Sequence, residues 1–471
     1  MSSITAPTPA VDPAGPAVPS SVSRRRTELI MLVFAFALVL FAFANVGFTL
    51  KGSLPAQLAE YMVPYVVIVL IAHLAVRRFA PWADPLLLPL AALLDGLGIV
   101  MMYRLGAQGN PPAISASTAA TQILYSAIGI GCFVAVLVLV REPRVLQRYT
   151  YTLGAIGILL LALPALLPAS ISEVYGAKIQ IKVGGFQIQP EEFAKLALAV
   201  SFAGYLVAKR DVLALAGRRV LGLDLPRARD LGPILVVWGI SLLLLVFESD
   251  IGTSAVFMGL FVATLYIATS RTSWLLLGFI LFVVGALAAS KLVSHVGERF
   301  TIWLHPFAGQ NPTHSSYQLV QGLYGMASGG LLGKGLGGGQ PYITPLVQSD
   351  LVISAFGEEL GLAGVMAILL IYGLIVQRGL RAAMSVKDPF SKLLAGGLSF
   401  MLALQVFVIV GGVTRLIPLT GITTPFLSQG GSSLVGSWIL IAVLTRISDA
   451  ARRPPPRPIQ EEGLTQVVTL N

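Results

Sequence analysis

The run SWLLLGFILFVVGALAASKLV (273–293) is followed by SHVGERFTIWLHPFAGQNPTHSSYQLVQGLYGMASGGLLGKGLGGGQPYITPLVQSD (294–350). The first is a continuous apolar segment of about twenty residues, the length that crosses a hydrocarbon core of about 30 Å as a helix. The second is long, polar and glycine-rich, and another apolar run comes after it. Connections between neighbouring elements are usually short, and a long one is most often functional or disordered. Trp303, Phe307, Tyr317, Tyr324 and Tyr342 argue against disorder. The 294–350 stretch is therefore expected to be an ordered, extracytoplasmic, functional loop.

Composition extends the reading to the whole chain. Of 471 residues, 55% are hydrophobic and 11% charged, against about a quarter charged in ordinary water-soluble domains. Lipid must be the solvent. Membrane strands would alternate over about ten residues, whereas these runs are continuous and about twice as long. An all-α, polytopic helical bundle follows, since backbone groups in a bilayer are satisfied within helices or closed barrels. The single cysteine, Cys132, lies in an apolar run, reads as a packing residue and excludes an intrachain disulfide.

Apolar spans fall at 28–48, 60–76, 84–103, 118–140, 150–168, 190–208, 232–247, 252–269, 273–293, 351–377, 391–413 and 430–447, about twelve in all. Arg77 with Arg78, the Arg141–Arg148 loop, Lys209–Arg229, Arg271, Arg378–Lys387 and the Arg446–Arg453 tail recur on every second connection. Positive charge marks the cytoplasmic side. Both termini are thereby expected in the cytoplasm and 294–350 outside. The net charge of +10 is then a topology signal. Nucleic-acid binding would need a basic face with interleaved aromatics on a soluble domain, and the sequence offers none. Residues 1–27 read as a disordered leader, 28–83 as two additional spans, 84–449 as the main membrane domain and 450–471 as a disordered tail.

Ionisable groups at membrane depth point to function by default. Asp95 sits in mid-span with no obvious partner. Lys182 and Lys195 flank Pro190, which suits the first turn of a helix. Glu192 and Lys195, three apart, can neutralise one another on one helix face, or form part of an anion-binding cluster under an external pocket. Asp250 suits either a helix cap or a substrate contact. Glu358 and Glu359 lie early in the span after the loop. Gly430, Gly431 and Ser432 open the last span, either presenting backbone N–H groups to a phosphate or allowing a close helix crossing. GGLLGKGLGGG lacks the spacing of a phosphate loop and has Gly335 where Ser or Thr is needed. His295, His305 and His314 lack the spacing of a structural zinc site.

The strings QPEEFAK (189–195), ESDIGTS (248–254), YQLVQGLYGMASGGLLGKGLGGGQ (317–340), SDLVISAFGEELG (349–361) and LIPLTGITTPFLSQGGSSL (416–434) resemble the SEDS family, the FtsW/RodA/SpoVE proteins. The two extra N-terminal spans and AKRDVLALAGRRVLGLDLPRARD (208–230) look more like the RodA branch of high-GC Gram-positive bacteria. The resemblance implies a plasma-membrane glycosyltransferase that polymerises lipid II into glycan strands for elongation, shape or division. It implies release of undecaprenyl pyrophosphate and work beside a class B penicillin-binding protein. A divalent cation, magnesium or manganese, is the implied cofactor. Lys182, Lys195 and the 430–433 backbone become candidates for the pyrophosphate side, with Glu192, Asp250, Tyr317 and Gln318 also on the substrate. Asp350 and Glu358 would orient the substrate or meet the metal.

One departure bears on turnover. The family pattern is similar to PxxDPxGxGYQ, and counting back from Tyr317 puts Asn311-Pro312 where Asp-Pro belongs, while counting forward from Pro306 puts Gly309 there. Gln429 also replaces the usual Tyr. Either Glu298 or Asp350 replaces the missing carboxylate, or His305 or His314 supplies the base, or the chain binds lipid II and its transpeptidase without polymerising. A lipid II flippase is the competing activity, although no paired inverted repeat is evident.

Overall fold

The computed structural model describes residues 21–107, 117–174, 186–209, 251–308 and 315–454, with a few positions between them (115, 177–178, 180–183, 219–220, 223–224 and 239). The helices run as α1 (Ser21–Lys51), α2 (Leu58–Phe79), α3 (Leu87–Gly106), α4 (Thr118–Leu139), α5 (Thr150–Leu166) and α6 (Pro190–Ala208). They continue as α7 (Ile251–Thr269), α8 (Ser273–Leu292), α9 (Ser294–Leu304), α10 (Tyr317–Gly329), α11 (Val352–Ser385), α12 (Pro389–Val413) and α13 (Gly431–Arg452). Strands among the described residues are limited to short two-stranded hairpins.

Among the described residues, ten segments are long and apolar enough to cross a membrane. α6 adds another helix of spanning length, 19 residues, whose Glu191, Glu192 and Lys195 make it less apolar. The expected span at 232–247, apart from residue 239, lies outside the described residues. A broad apolar surface, including Phe279, Phe282, Val284 and Leu287 of α8, faces outward, as lipid rather than water allows.

Contacts at the helix ends sort into two sets. At one end Arg144 Nε lies 2.6 Å from Asp388 Oδ1, the Trp82 amide donates to Asp449 at 2.8 Å and the Asp84 amide to Ser448 Oγ at 3.0 Å. At the other, Arg104 Nε lies 2.7 Å from Glu359, Gln122 Nε2 donates to the Ser428 carbonyl at 3.2 Å and Trp303 Nε1 to the Arg415 carbonyl at 3.1 Å. Each bond joins positions that the charge pattern puts on one side. The end bearing 294–350 is called the outer end below.

Two details extend the sequence reading. The described residues of 294–350 include regular helices, α9 burying Val296 and α10 burying Leu319 and Val320. Asp95 also has partners: Ser126 Oγ donates to it at 2.9 Å and Trp438 Nε1 at 3.2 Å. Trp438 is fully buried, edge-on to Phe133 and Phe426, so the carboxylate caps the polar edge of an aromatic core.

The glycine-rich run at 329–339 packs onto a break in α11. Gly361 has φ +68° inside that helix, and the freed backbone bonds the loop: Lys334 N to Glu358 O at 3.1 Å, Gly335 N to Glu359 O at 2.9 Å and Leu362 N to Gly330 O at 3.0 Å. A Cβ on Gly361 would stand 2.3 Å from the Gly333 nitrogen, and one on Gly333 2.2 Å from the Glu359 carbonyl. Glycine is needed here for close backbone approach as well as for left-handed φ.

Candidate functional site

Pro190 starts α6 at its first turn, with Gln189 extended before it, as its fixed φ and missing N–H favour. One turn in, Glu192 and Lys195 share a face. Lys195 Nζ lies 2.9 Å from Glu192 Oε1 and 3.2 Å from Gln405 Oε1 of α12, and both charged side chains are buried. Gln405 Nε2 donates to the Thr423 carbonyl at 3.2 Å, and the Gln189 amide to Ser432 Oγ at 2.9 Å. The interrupted segment 414–430 is thus held from below by α12 and at its end by α6.

The same segment walls a cavity of about 230 Å³ at the outer end. His295, Glu298, Arg299, Gln318, Asp350 and Gly421 line it. Arg299 Nη1 donates to the Leu419 and Thr420 carbonyls at 3.1 and 2.7 Å. Asp350 accepts from Gln318 Nε2 at 3.4 Å and from the Ser349 hydroxyl. Gly421 separates carboxylate from guanidinium: a Cβ there would lie 3.6 Å from the Arg299 Nη atoms and 3.9 Å from Asp350 Oδ2. Burial pushes the Asp350 carboxyl above its usual range, against the opposing hydrogen bonds and Arg299. Burial and the Arg299 charge hold the His295 imidazole below its usual range, leaving it neutral near pH 7.

Of the residues singled out from sequence, Glu192, Lys195 and Ser432 meet around α6, while Gln318 and Asp350 meet in the outer cavity. Tyr317 begins α10 and is partly exposed. Lys182 is exposed in a hairpin strand paired with Gln187. Gly430 precedes α13, and Gly431 backs onto the Tyr125 ring, where a Cβ would come within 2.3 Å. Glu358 is bonded to Lys334 Nζ at 2.8 Å and the Gln340 amide at 2.9 Å, within the glycine-rich run. Asp250, Gly309, Asn311 and His314 lie outside the described residues.

Sequence reasoning missed Arg299, His295, Gln405 and Arg104. Arg104, fully buried, reaches from α3 to Glu359 and to the Gly337 and Gly339 carbonyls at 3.3 and 2.8 Å. Its signal was available: Arg104 and Arg299 are cations on the side where the charge pattern predicts few. Among the described residues no three or more of His, Cys, Asp and Glu cluster as metal ligands. Two carboxylates, Glu298 and Asp350, do share the outer cavity. That donor set fits magnesium, which commonly takes one or two carboxylates and completes its shell with water and substrate phosphates.

The FtsW/RodA/SpoVE family model, a family of cell cycle proteins, matches residues 84–453. The peptidoglycan glycosyltransferase RodA of Mycobacterium tuberculosis is 46% identical over 453 residues, covering 96% of each chain. RodA of Mycobacterium leprae is 44% identical over 445 residues, covering 94% of each. A chain from a peptidoglycan synthase complex, described for its structural coordination of polymerization and crosslinking, superposes with a TM-score of 0.63 at 25% identity, covering 79% of this chain and 99% of that one. The chain is a multi-pass membrane protein, as the ten apolar spans among its described residues and these bacterial relatives require. With the match running from the loop before α3 to the end of α13, the chain belongs to the FtsW/RodA/SpoVE family of cell cycle proteins.

Proposed function

We propose that this chain is a peptidoglycan glycosyltransferase that extends glycan strands from lipid II on the extracytoplasmic side of the plasma membrane, with both termini in the cytoplasm. The observation that carries the proposal is the outer cavity, where a desolvated carboxylate, Asp350, faces the Arg299 guanidinium across Gly421. Glycosyl transfer needs a base for the acceptor hydroxyl and cations for the departing pyrophosphate. A carboxyl raised toward neutrality suits proton abstraction better than an ordinary aspartate. Asp350 takes the hydroxyl proton as the acceptor oxygen bonds to the sugar's anomeric carbon and the bond to the polyprenyl pyrophosphate breaks. Arg299 and Lys195 stabilise the leaving charge. A magnesium or manganese ion held by Glu298 together with the substrate phosphates would neutralise pyrophosphate charge.

A class B penicillin-binding protein is the proposed partner, supported by the likeness to a synthase complex that couples polymerization to crosslinking. The test is glycan polymer from lipid II with the purified chain and a divalent metal, alone and with its transpeptidase. Absence of polymer in both, with partner binding intact, would replace this reading by a non-polymerising scaffold, which Asn311 at the family Asp position favours. Lipid II translocation in liposomes without polymer would favour a flippase. Cysteine labelling at Tyr317→Cys from outside the cell tests the orientation, and labelling only from the cytosol would reverse it.

A further inference from the structure

At the end opposite the cavity, three arginines from three helices converge on one carboxylate. Asp84, fully buried just before α3, takes Arg452 of α13 as an ion-pair partner, has Arg378 Nη1 of α11 at 3.8 Å, and lies beside Arg24 of α1. Three guanidiniums against one carboxylate leave two positive charges in excess. The neighbouring carboxylate, Asp449, does not offset them. It is occupied by the Trp82 amide, by Arg453 at 2.8 Å and by Arg446 at 3.6 Å. Each converging arginine also keeps a buried donor without a partner: Arg24 Nε, Arg378 Nε and Arg452 Nη1. Arg378 and Arg452 remain about one-fifth exposed, so the cluster is reachable from its surface.

We infer that this cluster is a binding site for a phosphate group, carried by an anionic lipid of the adjoining leaflet or free in solution. A phosphate supplies the missing negative charge and several acceptor oxygens in the geometry guanidinium donors match best. The depth fits a headgroup. α11 breaks at Gly361, and from there to Ser385 its continuous part is about 36 Å long at 1.5 Å per residue, enough to cross a hydrocarbon core of about 30 Å. Arg378 lies about two turns from its end and meets Arg452, from the last turn of α13, at Asp84. Ordinary positive-inside charge accounts for exposed loop arginines such as Arg144, two-thirds exposed on its pair with Asp388. It does not account for three converging on a buried aspartate with unmet donors. Basic pockets between spans on the cytoplasmic side are where anionic headgroups bind.

The experiment uses the full chain in detergent, measuring phosphatidylglycerol, phosphatidylcholine and inorganic phosphate binding by native mass spectrometry and thermal shift. Preferential retention of phosphatidylglycerol assigns a lipid phosphate, whereas stabilisation by inorganic phosphate without lipid preference assigns a free one. Arg378→Gln and Arg24→Gln should each weaken binding about fivefold, and Arg144→Gln should leave it unchanged. Equal retention of both lipids with no response to phosphate overturns the inference. So does binding insensitive to Arg378→Gln in a folded variant. No readout depends on glycan synthesis, so failure here and failure of the proposed activity are separable.

Discussion

Replacing Lys195 with methionine removes the cation from a pair whose members are both buried, 4% and 6% exposed, and 2.9 Å apart. Glu192 is left charged in a low-dielectric site, and Gln405 loses a donor. Breaking a buried pair from one side costs about 3–5 kcal/mol, whereas replacing both members by neutral groups of similar volume is often nearly neutral. Lys195→Met should therefore lower the thermal midpoint in detergent sharply, and the double variant Glu192→Gln, Lys195→Met should recover most of the loss. Polymer formation from lipid II separates structure from chemistry. If the ammonium stabilises the leaving pyrophosphate, the double variant is folded and inactive. A double variant that is both folded and as active as the parent refutes the reasoning, because Lys195 would then only balance Glu192.

With Asp350 as the base, Asn311→Asp should leave polymer formation within about threefold of the parent; a rise of tenfold or more would move the base to position 311, since a positioned general base contributes about 10²–10⁴-fold. Asp350→Asn should abolish polymer formation and raise the thermal midpoint at neutral pH. A carboxyl raised in the folded state binds more protons than the unfolded chain between the two pKa values, so its stability contribution falls as pH rises through that window. The parent's activity should correspondingly rise with pH, its acidic limb above the ~3.9 of an ordinary aspartate. Gly333→Ala, at φ +78° with the Glu359 carbonyl 2.2 Å from its Cβ, should lower stability by at least about 2 kcal/mol. Arg104→Lys keeps the charge but loses the fork that reaches Glu359, Gly337 and Gly339 together. It should cost about 1.5–3 kcal/mol, and a wild-type midpoint would show that the contacts are dispensable.

The bundle was legible because lipid imposes a simple code: apolar runs of fixed length, and cations on alternate connections. The Glu192–Lys195 pair was legible for a related reason, since three-residue spacing on a helix fixes which side chains meet. The outer cavity was not. Arg299 and Asp350 are 51 positions apart and come together only because Arg299 binds the Leu419 and Thr420 carbonyls of a third segment. No local periodicity encodes that closure. Asp95 looked unpartnered for the same reason, its partners lying on two other helices. Arg104 escaped because no spacing links it to Glu359, 255 positions away, so its partner shows only in the fold.

Adjacent carboxylates with different partners explain how an outer loop can be glycine-rich and still hold a fixed shape. Glu359 turns toward α3, where Arg104 and the Gly337 amide meet it. Glu358 turns toward Lys334 and the Gln340 amide. The two grip the 333–340 run from the turn just before the break at Gly361, where the helix gives up its own backbone bonds to the loop. α10 leads directly into that run, and Gln318 near its start contacts Asp350 in the cavity. Cavity geometry is thereby tied to α3 and α11 rather than to the loop's own propensities, and rigid elements of this kind are what a positioned base and cation require. The glycines permit the approach, and the buried charges fix it.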